Sequence, residues 1–293
     1  MATLRELKGR IGSVASSEKI TGAMKMISSA KMHKAEQALK RLLPFRNQIE
    51  LIISNLLSAD TEFYSPLLES RDVKRVSVVV FGSDDGLCGA YNVNIFKLLL
   101  QHISDYRSKY GADVEVTVYP VGSKMAKAVA KIVGPGLNME IQPGVDSKTG
   151  GDGVKMFVEH LQAQFLDGAT DKVDVLYMGF KSVSRQRPRF EQLLPVVQET
   201  FTDNGVSEQS HPYLFEPDAN TIFQSVLPMF LMAVMQDVFT ENRASEQAAR
   251  VMAMQSANDN AKKLLEQLQL EYNKLRQQSI TTELLDILGG QIR

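Results

Sequence analysis

The chain has 293 residues, 44% of them hydrophobic and 23% charged, with a formal net charge of −1. That is the composition of an ordinary soluble protein with room for one large core or two modest ones, and it gives no support to nucleic acid as the main partner. A single cysteine, Cys88, excludes an intrachain disulfide. No apolar run reaches the ~18 residues of a membrane span, and the start MATLRELKGR lacks the apolar core of a signal peptide.

The first stretch opens on Thr3-Leu4-Arg5-Glu6, the T-x-x-E pattern of a capping box. Apolar residues follow at Leu4, Leu7, Ile11 and Val14, then at Met32, Ala35, Leu39 and Leu42, and finally at Ile49, Ile53 and Leu56. All share one heptad register, which predicts a helix of roughly 55 residues and about 80 Å. Pro44 is expected to bend it. The register fails at Glu18, Thr21, Lys25 and Ser28; the segment that follows Glu18, KITGAMKMISSAKMHK, holds four lysines and no acid. From Met1 to Leu57 ten Lys or Arg stand against four acids. Such a block is either a solvated face or a partner surface.

The middle reads as α/β. RVSVVVF (Arg75 to Phe81), VEVTVY (Val114 to Tyr119) and VDVLYMGF (Val173 to Phe180) are strand-like. Helical candidates lie at Asn92 to Tyr106, Ser123 to Val133 and Val154 to Phe165. This alternation predicts a mainly parallel sheet covered by helices. From Val196 to Asn220 come five acids (Glu199, Asp203, Glu208, Glu216, Asp218) and no Lys or Arg.

The last stretch, from about Asn220 to Leu288, is again helical. Phe223, Leu227, Phe230 and Val234 open it, with Pro228 as a local kink. Ala244, Ala248 and Val251 follow at heptad spacing, then Leu265, Leu268, Tyr272 and Leu275. Roughly 65 residues reach about 100 Å. Small seam residues imply close helix approach or a surface that slides past neighbours. Neither terminal stripe is rich enough to stand alone, so an antiparallel pair is expected.

Catalytic chemistry is hard to find. Gly82-Ser83-Asp84-Asp85-Gly86-Leu87-Cys88-Gly89 follows a strand and opens a helix, where dinucleotide folds hold a pyrophosphate. Its spacing is G-x-x-x-G-x-x-G, and two acids sit where a phosphate would approach. A structural turn through Gly86, Leu87, Cys88 and Gly89 is the expectation, with Cys88 a small packing residue. Neither a phosphate-loop nor a zinc pattern occurs, and four scattered histidines (His33, His102, His160, His211) suggest no metal cluster. No catalytic, metal-binding or cofactor residue is assigned. Long helices without such a constellation fit a mechanical or adaptor protein.

A resemblance sharpens this. KITGAMKM, continuing through Ser29-Ala30-Lys31-Met32, resembles the KITxAMxMxxxxKM stretch of the γ subunits of F-type ATP synthases. SEQAARVMAM (Ser245 to Met254), Asp259-Asn260, LEYNK (Leu270 to Lys274) and ITTELLD (Ile280 to Asp286) are similar to their C-terminal signature. Gly86-Leu87-Cys88-Gly89 resembles their GLCG turn, and Tyr213-Leu214-Phe215-Glu216-Pro217 their YxxEP segment. The signature usually closes with Gly-Ala, whereas Gly290 here precedes Gln291 and the chain stops at Arg293. The paired cysteines of the redox-switched chloroplast form are absent.

The resemblance implies α/β with long terminal helices. An antiparallel coiled coil (1–58 with 219–293) would stand on a central Rossmann-like α/β domain (73–218). It further implies a rotor shaft inside a ring of α and β subunits, seated on the ε subunit and the membrane c-ring at the cytoplasmic face of a bacterial inner membrane. By resemblance Met24, Lys25, Arg250, Gln277, Thr281 and Glu283 contact the ring, with Arg250 donating to partner carboxylates. A shaft that must leave every stop on its cycle is better served by polar and small contacts than by a deep apolar lock. Two rivals are a coiled-coil scaffold without a rotary role and a nucleotide-dependent enzyme built on the α/β domain.

Overall fold

The computed structural model describes residues 3–57, 63–197, 201 and 215–290, with side chains described to Leu288. Glu199, Asp203, Glu208, His211, Tyr213, Leu214, Gln291 and Arg293 lie outside the described residues.

Helix α1 spans Leu4–Leu57, 54 residues. Its start is the reciprocal cap that the sequence spells: the Glu6 N–H donates to Thr3 Oγ1 (3.2 Å) and the Thr3 N–H to Glu6 Oε2 (2.9 Å). Pro44 does not end it; the helix continues through it.

The central strands are β1 (Arg75–Phe81), β2 (Glu115–Val121), β3 (Leu137–Met139), β4 (Lys172–Ser182) and β5 (Arg185–Leu194). Between them lie α2 (Tyr91–Tyr110), α3 (Ser123–Val129) and α4 (Asp152–Leu166). The sheet order is β3-β2-β1-β4-β5. The first four strands are mutually parallel and β5 returns antiparallel on β4. Strands β3 and β5 are additions to the sequence reading.

Side chains alternate across the sheet, as the pleat requires. Val76, Val78 and Val80 pack with Ile95, Leu99 and Ile103 of α2 and with Met125 and Val129 of α3. Val79 and Phe81 face the other way, onto Phe157 and Leu161 of α4.

That second face is also where the shaft begins. Helix α5 spans Ala219–Gly290, 72 residues and about 110 Å at the helical rise. Asp218 caps it, accepting from the Thr221 N–H (2.8 Å) and hydroxyl (2.6 Å). Phe223, Leu227, Leu231, Met235 and Phe239 are buried in the same core as Ile49, Ile53 and Leu56 of α1. Helix α5 does contain a window apolar enough to cross a membrane by length and composition, but 56% of that window is buried inside the protein.

The two long helices run antiparallel. Leu264 and Leu268 lie by Arg10 and Val14, Asn258 meets Glu18 and Thr21, and Asp237 meets Arg46 at 3.5 Å. The base of the coiled coil is therefore one piece with the sheet.

Candidate functional site

The loop after β1 sits where a doubly wound fold binds its ligand, at the carboxyl ends of the strands where the order reverses between β1 and β4. Here the protein fills that place itself. The Asp84 carboxylate accepts from the Ser123 N–H at the start of α3 (2.9 Å) and from the Ser147 N–H (3.1 Å) and hydroxyl (2.6 Å). Burial opposes its ionisation, but these donors outweigh burial and hold the carboxyl below its usual range. The donors a phosphate would need are thus already taken.

Behind Asp84 the loop is tightly filled. The Ser83 hydroxyl donates to the Asp85 carbonyl (2.7 Å) and accepts from Asn92 Nδ2 (2.7 Å). A Cβ on Gly82 would stand 2.6 Å from Met125 Cβ. Leu87 and Gly89 take the left-handed conformation (φ 64° and 61°) that reverses the chain into α2. Cys88 is buried, with its sulfur 3.4 Å from Asn92 Nδ2, and serves as packing.

Helix α5 lies across the same crevice and clamps it. Asn242, Glu246 and Arg250 recur every four residues and share one helix face. Asn242 accepts from the Tyr91 hydroxyl, and its Nδ2 donates to the Gly82 carbonyl (3.4 Å). Arg250 donates from Nε to the Gly86 carbonyl (3.2 Å) and from Nη2 to the Asp85 carbonyl (3.2 Å) and Glu246 Oε1 (2.7 Å). One residue before Asn242, Glu241 accepts from the Phe180 N–H of β4 (2.9 Å). Burial raises the Glu246 carboxyl, and Arg250 opposes that rise.

Further from the sheet the helices meet along a weaker seam. The heptad positions that break the apolar pattern do face α5: Glu18, Thr21 and Lys25 are half-buried and Ser28 is buried. Asn258 crosses the seam, donating from Nδ2 to the Glu18 carbonyl (2.7 Å) and to Thr21 Oγ1 (3.3 Å). Gly22 makes room for it, since a Cβ there would lie 3.3 Å from Asn258 Nδ2. Buried on the neighbouring stretch of α5 are Ala244, Ala248, Val251 and Met254.

Past Leu275, α5 has no buried side chain to its last described one, and Ile280, Leu284, Leu285, Ile287 and Leu288 are all exposed. That end of α5 projects as a single helix with apolar residues facing outward.

The residues singled out in the sequence fall in different environments. Gln277, Thr281 and Glu283 are exposed on the projecting end, and the Thr281 hydroxyl donates to the Gln277 carbonyl (2.9 Å). Met24 and Lys25 are half-buried at the polar seam. Arg250 departs from the expectation of a side chain free to meet partner carboxylates. It is only 5% exposed, and its Nε and Nη2 are engaged within the chain. The sequence reading also passed over Ile20, Met26 and Ile27, which are 56–72% exposed. The signal for them was present: they are apolar residues off the heptad seam of α1.

Comparison with known proteins agrees with this architecture. The ATP synthase family profile matches residues 3–291. The ATP synthase gamma chain of Bacteroides fragilis is 41% identical over 300 residues, and that of Phocaeicola vulgatus 41% over 292, each covering 100% of both chains. The gamma chain of Polynucleobacter asymbioticus is 34% identical over 294 residues and 99% of both chains. Among solved structures, the mitochondrial ATP synthase of Euglena gracilis (OSCP/F1/c-ring) holds a chain with TM-score 0.63 and 18% identity, covering 98% of this chain and 93% of that one. A chain of the Tetrahymena thermophila central stalk and c-ring aligns with TM-score 0.58 at 21% identity, over 81% of this chain and 99% of that one. The chain belongs to the ATP synthase gamma chain family.

Proposed function

We propose that this protein is the rotating central shaft of an F-type ATP synthase and has no catalytic activity of its own. It transmits torque between ion-driven rotation of the membrane ring and ATP synthesis or hydrolysis on the β subunits. One observation carries the reading: a single 72-residue helix is buried in the sheet core at its base and stands alone, apolar side chains outward, at its far end. Such a helix delivers a twist applied at the α/β body to whatever surrounds its tip. In this reading 1–58 and 219–293 form the shaft and 73–218 the body that meets the ε subunit and the c-ring. The α and β subunits surround the upper helices, and the complex sits peripherally on the cytoplasmic face of a bacterial inner membrane. Ring contacts are assigned to Met24, Lys25, Gln277, Thr281 and Glu283, joined by the exposed Ile20, Met26 and Ile27.

The absence of catalysis is supported by the state of the crevice, where Asp84 and α5 occupy the position of a ligand. The test is reconstitution with the α and β subunits of the same organism. Co-elution as one large complex, with ATPase activity far above that of unassembled subunits, is expected. Failure to associate, when the same partners assemble with another gamma chain, would refute the shaft role and favour a coiled-coil scaffold.

A further inference from the structure

Where α1 leaves the α/β body, the two helices and the loop around Ser147 and Lys148 enclose a half-open cavity of about 480 Å³. That volume falls within the range of small-molecule sites. Ala35, Ala38 and Leu42 of α1 give it an apolar floor. Gln236 and Thr240 of α5 form a polar wall. Its cations are Lys31, Lys34 and Arg41 from α1, Lys148 from the loop and Arg243 from α5.

Charge in this cavity is out of balance. Its two carboxylates already have partners: Asp85 lies 3.9 Å from Lys148, and Glu246 lies 2.7 Å from Arg250. Among the described residues Lys31, Lys34, Arg41 and Arg243 form no ion pair. Arg243 is half-buried and held in place, donating to the carbonyls of Ser147 (3.3 Å) and Thr149 (2.9 Å). Burial lowers its pKa, and the carboxylates of Asp146 and Glu246 offset that only in part, so a further anion close by would stabilise the cation. Gln236 Oε1 is buried without a hydrogen-bond donor. A bare polyanion would satisfy the cations and leave Gln236 unmet. A ligand with an anionic chain at one end and an apolar body carrying N–H or O–H groups at the other would satisfy both.

We propose that this cavity binds a nucleoside polyphosphate. Its phosphate chain lies against Lys34, Arg41, Lys148 and Arg243, and its nucleoside covers Ala35, Ala38 and Leu42 while donating to Gln236 Oε1. The site adjoins the crevice that Asp84 closes, sharing Asp85, Ser147 and Glu246 with it, and opens on the α1 side. Its ligand would tie α1, α5 and the Ser147 loop together at the neck of the shaft. The inference stands on the cavity and not on the rotary reading.

The test is calorimetric titration of the full-length chain with ATP in the presence of EDTA. One saturable site per chain is expected, with tripolyphosphate competing. Lys34 and Arg41 are exposed and unpaired, so the K34Q/R41Q double variant keeps its fold and should bind ATP at least about tenfold more weakly. Lys127→Gln, an exposed control on α3, should bind as the parent does. Gln236→Met should weaken ATP and leave tripolyphosphate unchanged. Absence of saturable binding up to about 5 mM, or an equal loss in the Lys127 control, overturns the site. Tripolyphosphate binding as tightly as ATP, with Gln236→Met indifferent to both, overturns the nucleoside assignment.

Discussion

The Arg250→Met variant gives the sharpest test of how the α/β body is held to the shaft. Arg250 is 5% exposed, and its guanidinium donates to Glu246 Oε1 at 2.7 Å and to the carbonyls of Asp85 and Gly86 at 3.2 Å. Its removal strands two loop carbonyls and leaves Glu246 with Gln247 Nε2 at 3.4 Å. Breaking a buried pair from one side costs about 3–5 kcal/mol. Burial already raises the Glu246 carboxyl, so it can take up a proton and escape part of that cost. The lower end, about 3 kcal/mol, is therefore expected. At about 2–4 °C per kcal/mol, the melting temperature should fall by about 6–12 °C. The folded-state pKa of Glu246 is raised, so the stability tied to its protonation is full below its unfolded value and lost as pH rises through the folded one. The deficit of Arg250→Met should accordingly shrink on acidification. Circular dichroism melts report the loss, and hydrogen exchange at 82–89 should report where it acts. The E246Q/R250M pair should recover about half of the deficit, because it leaves no orphaned charge. A variant melting within about 1 °C of the parent, or a double variant no better than the single, refutes the clamp. The resemblance implies that Arg250 donates to partner carboxylates; its burial and its bonds within the chain make folding the first property its removal should change.

Four further outcomes follow from the geometry. Asn258→Leu should leave the melt almost unchanged but loosen the register, because a polar group at a helix seam fixes stagger at little gain in stability. Spin labels at Ser13 and Lys262 should then give a distance distribution that is broadened or shifted by about 5.4 Å, one helical turn, and an unchanged narrow peak refutes it. Gly82→Ala should cost about 1–3 kcal/mol or more, since its Cβ would meet that of Met125 at 2.6 Å; a melt like the parent's refutes it. Asp84 and Asp171 have carboxyls held below their ordinary value, because hydrogen bonds outweigh burial there. Their contribution is present above that value and lost as pH falls through the folded-state pKa, so Asp84→Asn should flatten the acid limb of the stability profile; an unchanged limb refutes it. Lys25→Glu, at a half-buried seam position without a described ion pair, should preserve assembly and melting but lower ATP-driven ion pumping; normal pumping refutes the contact.

What the sequence disclosed depended on how local the determinant was. The Thr3/Glu6 cap and the bounds of β1 were legible because adjacent residues decide them. The polar breaks at Glu18 and Thr21 are legible in the sequence, but their partner Asn258 lies more than 230 residues away and local pattern does not assign it. Strand β5 escaped notice because it is an edge strand. Its first half, Arg185 to Arg189, is polar and includes Pro188, which a strand tolerates where one side has no neighbour. Strand β3 is three residues long, too short for periodicity to register. Arg250 was misdirected for another reason: a motif gives a position along a helix, not the face it presents. Three other acceptors within reach of its guanidinium decided that face.

The opening of α5 shows the deeper limit. Phe223, Leu227, Phe230 and Val234 read as the start of a coiled-coil seam, yet they are buried in the core of the sheet. The same periodicity serves both roles, since a helix presents one stripe whether a sheet or another helix covers it. That ambiguity has a mechanical consequence. A shaft joined to its body by a loop would swivel, because few contacts would resist rotation at the joint. Here the stripe passes from sheet core to helix seam without a break, and Glu241, Asn242, Arg243 and Arg250 bond to the body along the way. Turning the body relative to the shaft would require those bonds and the buried aromatic rings to separate together. The closed crevice follows from the same placement: the helix that rigidifies the joint lies where a ligand would enter.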